Sequence, residues 1–232
     1  MTTRIAKYIS DSGITSRRDA EKLINDGRVS VNGNIIDTPV YFVNDTDIVL
    51  IDGKQITGKP ATELYMFHKP INTMTTVRDP NGRRTIYDCL PSEYKNLKYV
   101  GRLDYKTTGL LLLTNDGELA RKLTLPASNI SRTYIATVNS KNISGLARAR
   151  QGVTIDGIRY APMKIEEIND NELRVTITEG KKNEVRIVLR ECGCPVRKLH
   201  RISYGKIKLG QLPVGKIQKI SQKTIDELLK SL

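Results

Sequence analysis

The stretch VGRLDYKTTGLLLLTND, residues 100–116, sets one aspartate, Asp104, on a polar loop between Gly101 and Gly109, with Arg102 close before it. No histidine lies nearby in the sequence, and no serine or cysteine pairs with it as a nucleophile. A lone carboxylate can itself be a nucleophile when a fixed cation keeps it ionised. It can also brace its loop through backbone hydrogen bonds and do no chemistry. Asp116 offers a second carboxylate, and with it the acid–base pair of a glycosidase. It sits in Asn115-Asp116-Gly117, however, whose natural reading is a turn. Cys192-Gly193-Cys194 with His200 and Cys89 lacks the spacing of a zinc site and has no second cysteine pair, so no metal is expected.

The elements that must hold these side chains fall into two segments. Ile5, Tyr8 and Ile9 recur at helical spacing, and Gly13 offers a stop. Ser16 can cap a second helix with Asp19 at the capping-box position, while Ala20, Leu23 and Ile24 form its apolar face and Gly27 ends it. Arg28 to Val31 alternates as a strand, Asn32-Gly33 is a hairpin turn, and Ile48 to Ile51 is a last short strand. Residues 1–58 are thus a two-helix plus hairpin module. Asp52 to Glu63 is polar and contains Gly and Pro, which predicts a linker region with 59–63 as its end.

Residues 64–232 predict a longer α+β domain with a mostly antiparallel sheet flanked by helices. Strands are expected at 64–68, 98–100, 109–114, 132–138, 163–168, 172–178 and 202–209. Helices are expected at 117–124, 141–150, 182–192 and 222–231, the last carrying Ile225, Leu228, Leu229 and Leu232 on one face.

Charge narrows the partner. The chain of 232 residues carries a net charge of +13. Residues 181–219 hold 11 basic side chains against Glu184 and Glu191, a net of +9 that is the footprint of a polyanion binder. In the first module Arg4, Lys7, Arg17, Arg18, Lys22 and Arg28 precede the hairpin turn, whereas Asp37, Asp45, Asp47 and Asp52 follow it. A basic helical face with an acidic back is the expectation, and such a face positions phosphates. No apolar run is long enough to span a membrane and there is no signal-peptide core, while 3 cysteines suit a reducing cytoplasm.

Two resemblances sharpen this reading. SRRDAEKLINDGRVSVNG resembles the small RNA-binding module of ribosomal protein S-four and of RNA-modifying enzymes. The likeness implies structured-RNA binding through Arg17, Arg18, Lys22 and Arg28. VGRLDYKTTGLLLLTNDGELA closely resembles the central motif of the RsuA/RluB/RluE/RluF ribosomal RNA pseudouridine synthases. Further landmarks of that family follow in order: HKP at 68–70, RTYIATV at 132–138, EGKKNEVRIVLRECG at 179–193 and PVRKLHRISYGKIKLGQLPVGK at 195–216.

The family reaction breaks the N1–ribose bond of uridine, turns the uracil and rejoins it through carbon 5, with no cofactor. The resemblance implies that Asp104 is the nucleophile, attacking ribose or base or acting through a glycal. Arg186 matches its ion-pair partner. Tyr134 matches the tyrosine that lies against the target base and accepts the proton from carbon 5. Arg102 then holds the neighbouring phosphate or fills the space left when the base leaves its stack, and Lys181, Lys182 and Asn183 join it in holding RNA. Ribosomal RNA, structured or partly assembled, is the expected partner of a monomer. Large-subunit (23S) RNA is favoured, closest in character to the RluB branch, because SRRDAEKLINDGRVSVNG and NEVR resemble members acting on the large subunit, whereas the small-subunit branch more often carries a lysine in place of Arg186. Small-subunit (16S) RNA, a tRNA substrate and a non-catalytic assembly factor are the alternatives.

Overall fold

The computed structural model describes residues 2–140 and 142–230. The chain divides into two compact units, one reaching to Glu63 and including Asn96–Lys98 and Asn115–Gly117, the other holding Leu64–Lys95, Tyr99–Thr114 and the chain from Glu118 onward.

The first unit runs β1 (Thr3–Arg4), α1 (Ile5–Asp11), α2 (Arg17–Asn25), β2 (Val29–Val31), β3 (Asn34–Ile36), β4 (Phe42–Val43), β5 (Val49–Ile51) and β6 (Lys54–Gln55). Ser16 starts α2 as expected: its Oγ accepts the Asp19 backbone N–H at 3.2 Å and donates to the Asp19 carboxylate at 2.7 Å. Asn32 and Gly33 both have positive φ, 51° and 84°, the twist a two-residue hairpin needs. Strands β3-β2-β5-β6 form one sheet, and Ile5, Ile9, Ala20, Ile24, Val29 and Val49 bury its core. The linker expected from Asp52 onward is corrected in part. Lys54–Gln55 pairs with β5, and Ile56 is buried in the same core, its N–H donating to Val49 O at 3.0 Å. The polar composition hid one apolar anchor.

The second unit, with Lys98 and Gly117 at two element starts counted to the first, runs β7 (Leu64–Lys69), β8 (Lys98–Val100), β9 (Thr107–Thr114), α3 (Gly117–Thr124), β10 (Arg132–Val138), α4 (Ile143–Gln151), β11 (Val153–Ile155), β12 (Ile158–Tyr160), β13 (Lys164–Asn169), β14 (Glu172–Ile177), α5 (Glu184–Glu191), β15 (Val196–Tyr204), β16 (Ile207–Lys208), β17 (Ile217–Lys219) and α6 (Gln222–Leu229). Its sheet has the order β13-β14-β10-β15-β9-β7-β17. Neighbours along it are antiparallel except β15 with β9. Leu110 to Leu113 are all fully buried, so this strand is covered on both faces. One face packs Leu64, Leu110 and Leu112 against Leu119, Leu123, Ile225 and Leu228 of α3 and α6.

Three expectations change. The strand expected at 202–209 is β15 and β16 with a turn at Gly205, φ +55°; its basic first half, Arg197 and Lys198, masked the strand start. Helix α5 starts at Glu184, not 182, because Asn183 is left-handed with φ 54°. Helix α4 starts at Ile143; Lys141, and Ser231 and Leu232 of the last expected helix, lie outside the described residues.

Candidate active site

Four side chains or their places line up across the second sheet. Lys69 on β7 pairs with Gly109 on β9, Gly109 with Arg201 on β15, and Arg201 with Tyr134 on β10. Gly109 is required: φ is +105°, and a Cβ there would lie 2.2 Å from Arg201 O. The glycine lets two backbones approach where the row passes under the loop that carries Asp104.

That loop is tied at several points. Thr107 N–H donates to Asp104 O at 2.9 Å and closes a turn. The Lys69 Nζ, fully buried, donates to the carbonyls of Thr107 (2.9 Å), Pro70 (3.0 Å) and Asp104 (3.3 Å). Thr75 Oγ1 donates to Leu103 O at 2.8 Å and accepts the Leu103 N–H at 3.3 Å. The Asp104 carboxylate takes no part: among the described residues it makes no hydrogen bond or ion pair. The backbone is braced by its neighbours, and the acid is left available.

Burial pushes the Asp104 carboxyl above the ordinary carboxylate range, and this outweighs the pull of Arg186, Arg102, Lys69 and Lys182. Burial likewise lowers Lys69, to about 8, against the stabilising charge of Asp104. The cluster therefore carries one carboxylate among several cations.

Arg186 corrects its sequence-derived geometry. Its guanidinium donates to Val196 O and Lys106 O, both at 3.0 Å, and no ion pair joins it to Asp104. It is still the largest cationic influence on that carboxyl. Two carbonyls orient a charge that acts across a gap.

A cavity of about 760 Å³ opens beside this loop, lined among others by Arg102, Asp104, Tyr134 and Arg201. Lys181, Lys182 and Asn183 also line it, so the structure brings together most of the second unit's expected site residues. Lys181 is engaged, however: its Nζ is bonded to the Glu179 carboxylate and lies 5.7 Å from the Tyr160 ring centre. Lys182 is exposed and has no such partner. Tyr134 is 7% exposed. Glu184 is buried, accepts the Lys181 N–H at 2.9 Å, and is raised to about 7 by burial despite that bond.

In the first unit Arg17 and Arg18 start α2, exposed and without a charged partner. Lys22 is bonded to Asp19 at 3.1 Å. Arg28 departs from the expected basic face: it follows α2 and binds Asp52 through two hydrogen bonds of 2.8 and 2.5 Å. A guanidinium and a carboxylate joined by two parallel hydrogen bonds neutralise one another. Asp116 also has an assigned place, accepting from Lys59 at 2.6 Å and from Thr62 at 2.8 Å.

Sequence reading assigned no individual role to Lys69, Thr75 or Arg201, although Lys69 in HKP and Arg201 in PVRKLHRISYGKIKLGQLPVGK both stand in the family landmarks and Lys69 is a cation ending the mostly buried run Leu64–Lys69. Among the described residues, the buried side-chain atoms without a hydrogen-bond partner are Thr107 Oγ1, Glu184 Oε1, Arg186 Nε and Arg201 Nη2. Three of these four residues line the cavity.

Comparison with known proteins agrees with this chemistry. The RNA pseudouridylate synthase family model matches residues 63–191, and the S4 domain model matches residues 3–49. An uncharacterized RNA pseudouridine synthase of Rickettsia prowazekii (strain Madrid E) is 37% identical over 231 residues, covering 97% of each chain. One from Aquifex aeolicus (strain VF5) is 39% identical over 240 residues, covering 100% of this chain and 96% of the relative. A crystal structure of a pseudouridylate synthase matches with a TM-score of 0.71 at 27% identity, covering 97% of this chain and 99% of that one. With an S4 domain ahead of its synthase fold, the chain belongs to the RNA pseudouridine synthases, isomerases that act on uridine in RNA.

Proposed function

We propose that this enzyme isomerises a uridine of large-subunit (23S) ribosomal RNA, working as a monomer in the cytoplasm. The observation that carries the reading is the Asp104 carboxylate, braced by its backbone, unbonded, and facing a cavity of about 760 Å³ with cations around it. Asp104 is the nucleophile, and the Arg186 charge keeps it ionised against the cost of burial. Tyr134 lies against the uracil and accepts the proton released from carbon 5. Arg102, Lys182 and Asn183 hold the flanking RNA at the rim, while Arg17 and Arg18, with Lys22 and Lys181 in lesser roles, take phosphates. Arg28, committed to Asp52, contributes least. The resemblance to the RluB branch favours the large subunit.

Tritium release from unmodified 23S and 16S transcripts labelled at carbon 5 of uracil tests both parts. Release from the 23S transcript alone is expected. Release from the 16S transcript alone would move the substrate to the small subunit, and release from a tRNA transcript but neither ribosomal RNA would overturn the assignment.

A further inference from the structure

Arg201 is the largest fully buried side chain among the described residues, 2% exposed, although it stands in a strongly basic segment of the sequence. Its Nε donates to Leu110 O at 2.6 Å, and its guanidinium stacks 5.3 Å from the Tyr204 ring centre. No carboxylate pairs with it among the described residues, and its Nη2 has no acceptor at all. The nearby charges are of the same sign, since Arg201 acts on the buried Lys69 as a repelling cation. A buried charge held without a counter-ion or a full set of acceptors opposes folding. Its place in the fold needs another reason.

The surroundings supply one. Arg201 lines the same cavity as Asp104, and on the sheet it is the register partner of Tyr134. Arg102, Lys181 and Lys182 also line the cavity, but they are exposed or partly exposed, as suits contacts to a backbone that stays in water. Arg201 lies deeper, beside the residue proposed to lie against the base. A group reaching it must enter the cavity, and a nucleobase leaving its stack is such a group.

Resting on the proposed roles of Asp104 and Tyr134, we propose that Arg201 is a substrate-binding catalytic residue whose guanidinium donates through Nη1, the nitrogen neither bonded to Leu110 O nor enclosed, to a carbonyl oxygen of the target uracil. The charge balance of the reaction shows why this helps. When the C1′–N1 bond breaks, its electron pair stays on N1 and spreads onto the ring oxygens, so the detached base is an anion. When C5 then attacks C1′, it displaces the group that held C1′, which is the Asp104 carboxylate in a ribose-attack route. The uracil is then neutral with its proton still on C5. That proton passes to Tyr134, the proton acceptor of the proposed reaction, while N1 takes up a proton to give neutral pseudouridine. A fixed guanidinium in a water-poor wall stabilises that transient anion more than it stabilises the neutral uridine.

The test compares Arg201→Met and Arg201→Lys with the wild type and with Asp104→Asn, on the ribosomal transcript that releases tritium. Arg201→Met is expected to fold with a Tm equal to or above the wild type, because it removes an uncompensated buried charge. It should bind the transcript within a few-fold and lose kcat by about 10²-fold, the scale for removing one oxyanion donor. Arg201→Lys, which keeps the charge and loses the fork, should fall between. A folded Arg201→Met with wild-type kcat would overturn the inference. So would a large fall in Tm for both variants with full turnover per folded molecule, which is the signature of a brace. If Asp104→Asn itself retains turnover, the reading of the whole site fails; if it is inactive while Arg201→Met is not, only the role of Arg201 fails.

Discussion

Arg28 with Asp52 in the first unit and Asp104 with its cations in the second are opposite uses of the same charges. At the surface, a guanidinium and a carboxylate meet through two hydrogen bonds, and each satisfies the other. At the cavity, the carboxylate of Asp104 is unbonded and Arg201 keeps an N–H without an acceptor, while Arg186, outside the cavity lining, is turned to two carbonyls. Charges that neutralise one another within the chain serve the fold. Charges kept apart by backbone carbonyls are available to a substrate.

The largest effect that could break this contrast is at Asp104. Asp104→Asn should reduce tritium release by about 10⁴-fold or more, the range for removal of a nucleophile, while transcript affinity changes little. Substantial residual turnover in the purified variant would return Asp104 to the status of a loop residue.

Arg186→Met comes next, with an expected loss in kcat of about 10²-fold. Because Arg186 is the strongest cation acting on Asp104, its removal should move the acid limb of the pH–kcat profile to higher pH. Arg186→Lys should restore part of both. An unmoved acid limb would show that Arg186 acts only by holding Val196 O and Lys106 O.

Lys69 sharpens the comparison through stability. Its folded value of about 8 lies below the ordinary 10.5, so between these two pH values the unfolded chain binds more protons than the folded one. Stability should therefore rise with pH across that window, by roughly 3 kcal/mol if the whole shift is expressed. Denaturant titrations from pH 7.5 to 10.5 should show this rise, and Lys69→Met should flatten it.

The smallest effects belong to the first unit. Arg17→Ala with Arg18→Ala should weaken RNA binding at every sequence tested and lower the salt slope by about 1 for each phosphate that is no longer neutralised. Asp52→Asn, which breaks the exposed Arg28 pair, should leave Tm nearly unchanged. A drop in RNA affinity from Asp52→Asn equal to that of the double arginine variant would erase the distinction between paired and available charge.

Much of the fold was legible in the chain itself, for local reasons. The helical spacing of Ile5 and Ile9, the Ser16 cap, the Asn32-Gly33 turn and the apolar run before Asn115 each fix short-range geometry. The 202–209 strand was harder, because Arg197 and Lys198 at the start of β15 look like solvated surface until the neighbouring strands are known. Ile56 was hidden in the same way by polar neighbours.

The candidate site divides along the same line. The class of chemistry was legible in the sequence through a resemblance, because the residues around Asp104 form one continuous motif closed by the Asn115-Asp116-Gly117 turn, and the same resemblance put Asp104 forward as its carboxylate. The sequence could not show that Arg186 would bond carbonyls in place of Asp104, nor that Lys69, Gly109, Arg201 and Tyr134 would form one row. Those depend on strand register, which joins positions far apart in the chain. Burial, too, is a property of that assembly: only the folded sheet removes water from Lys69 and Arg201 and raises Asp104, and so decides which charges remain available for chemistry.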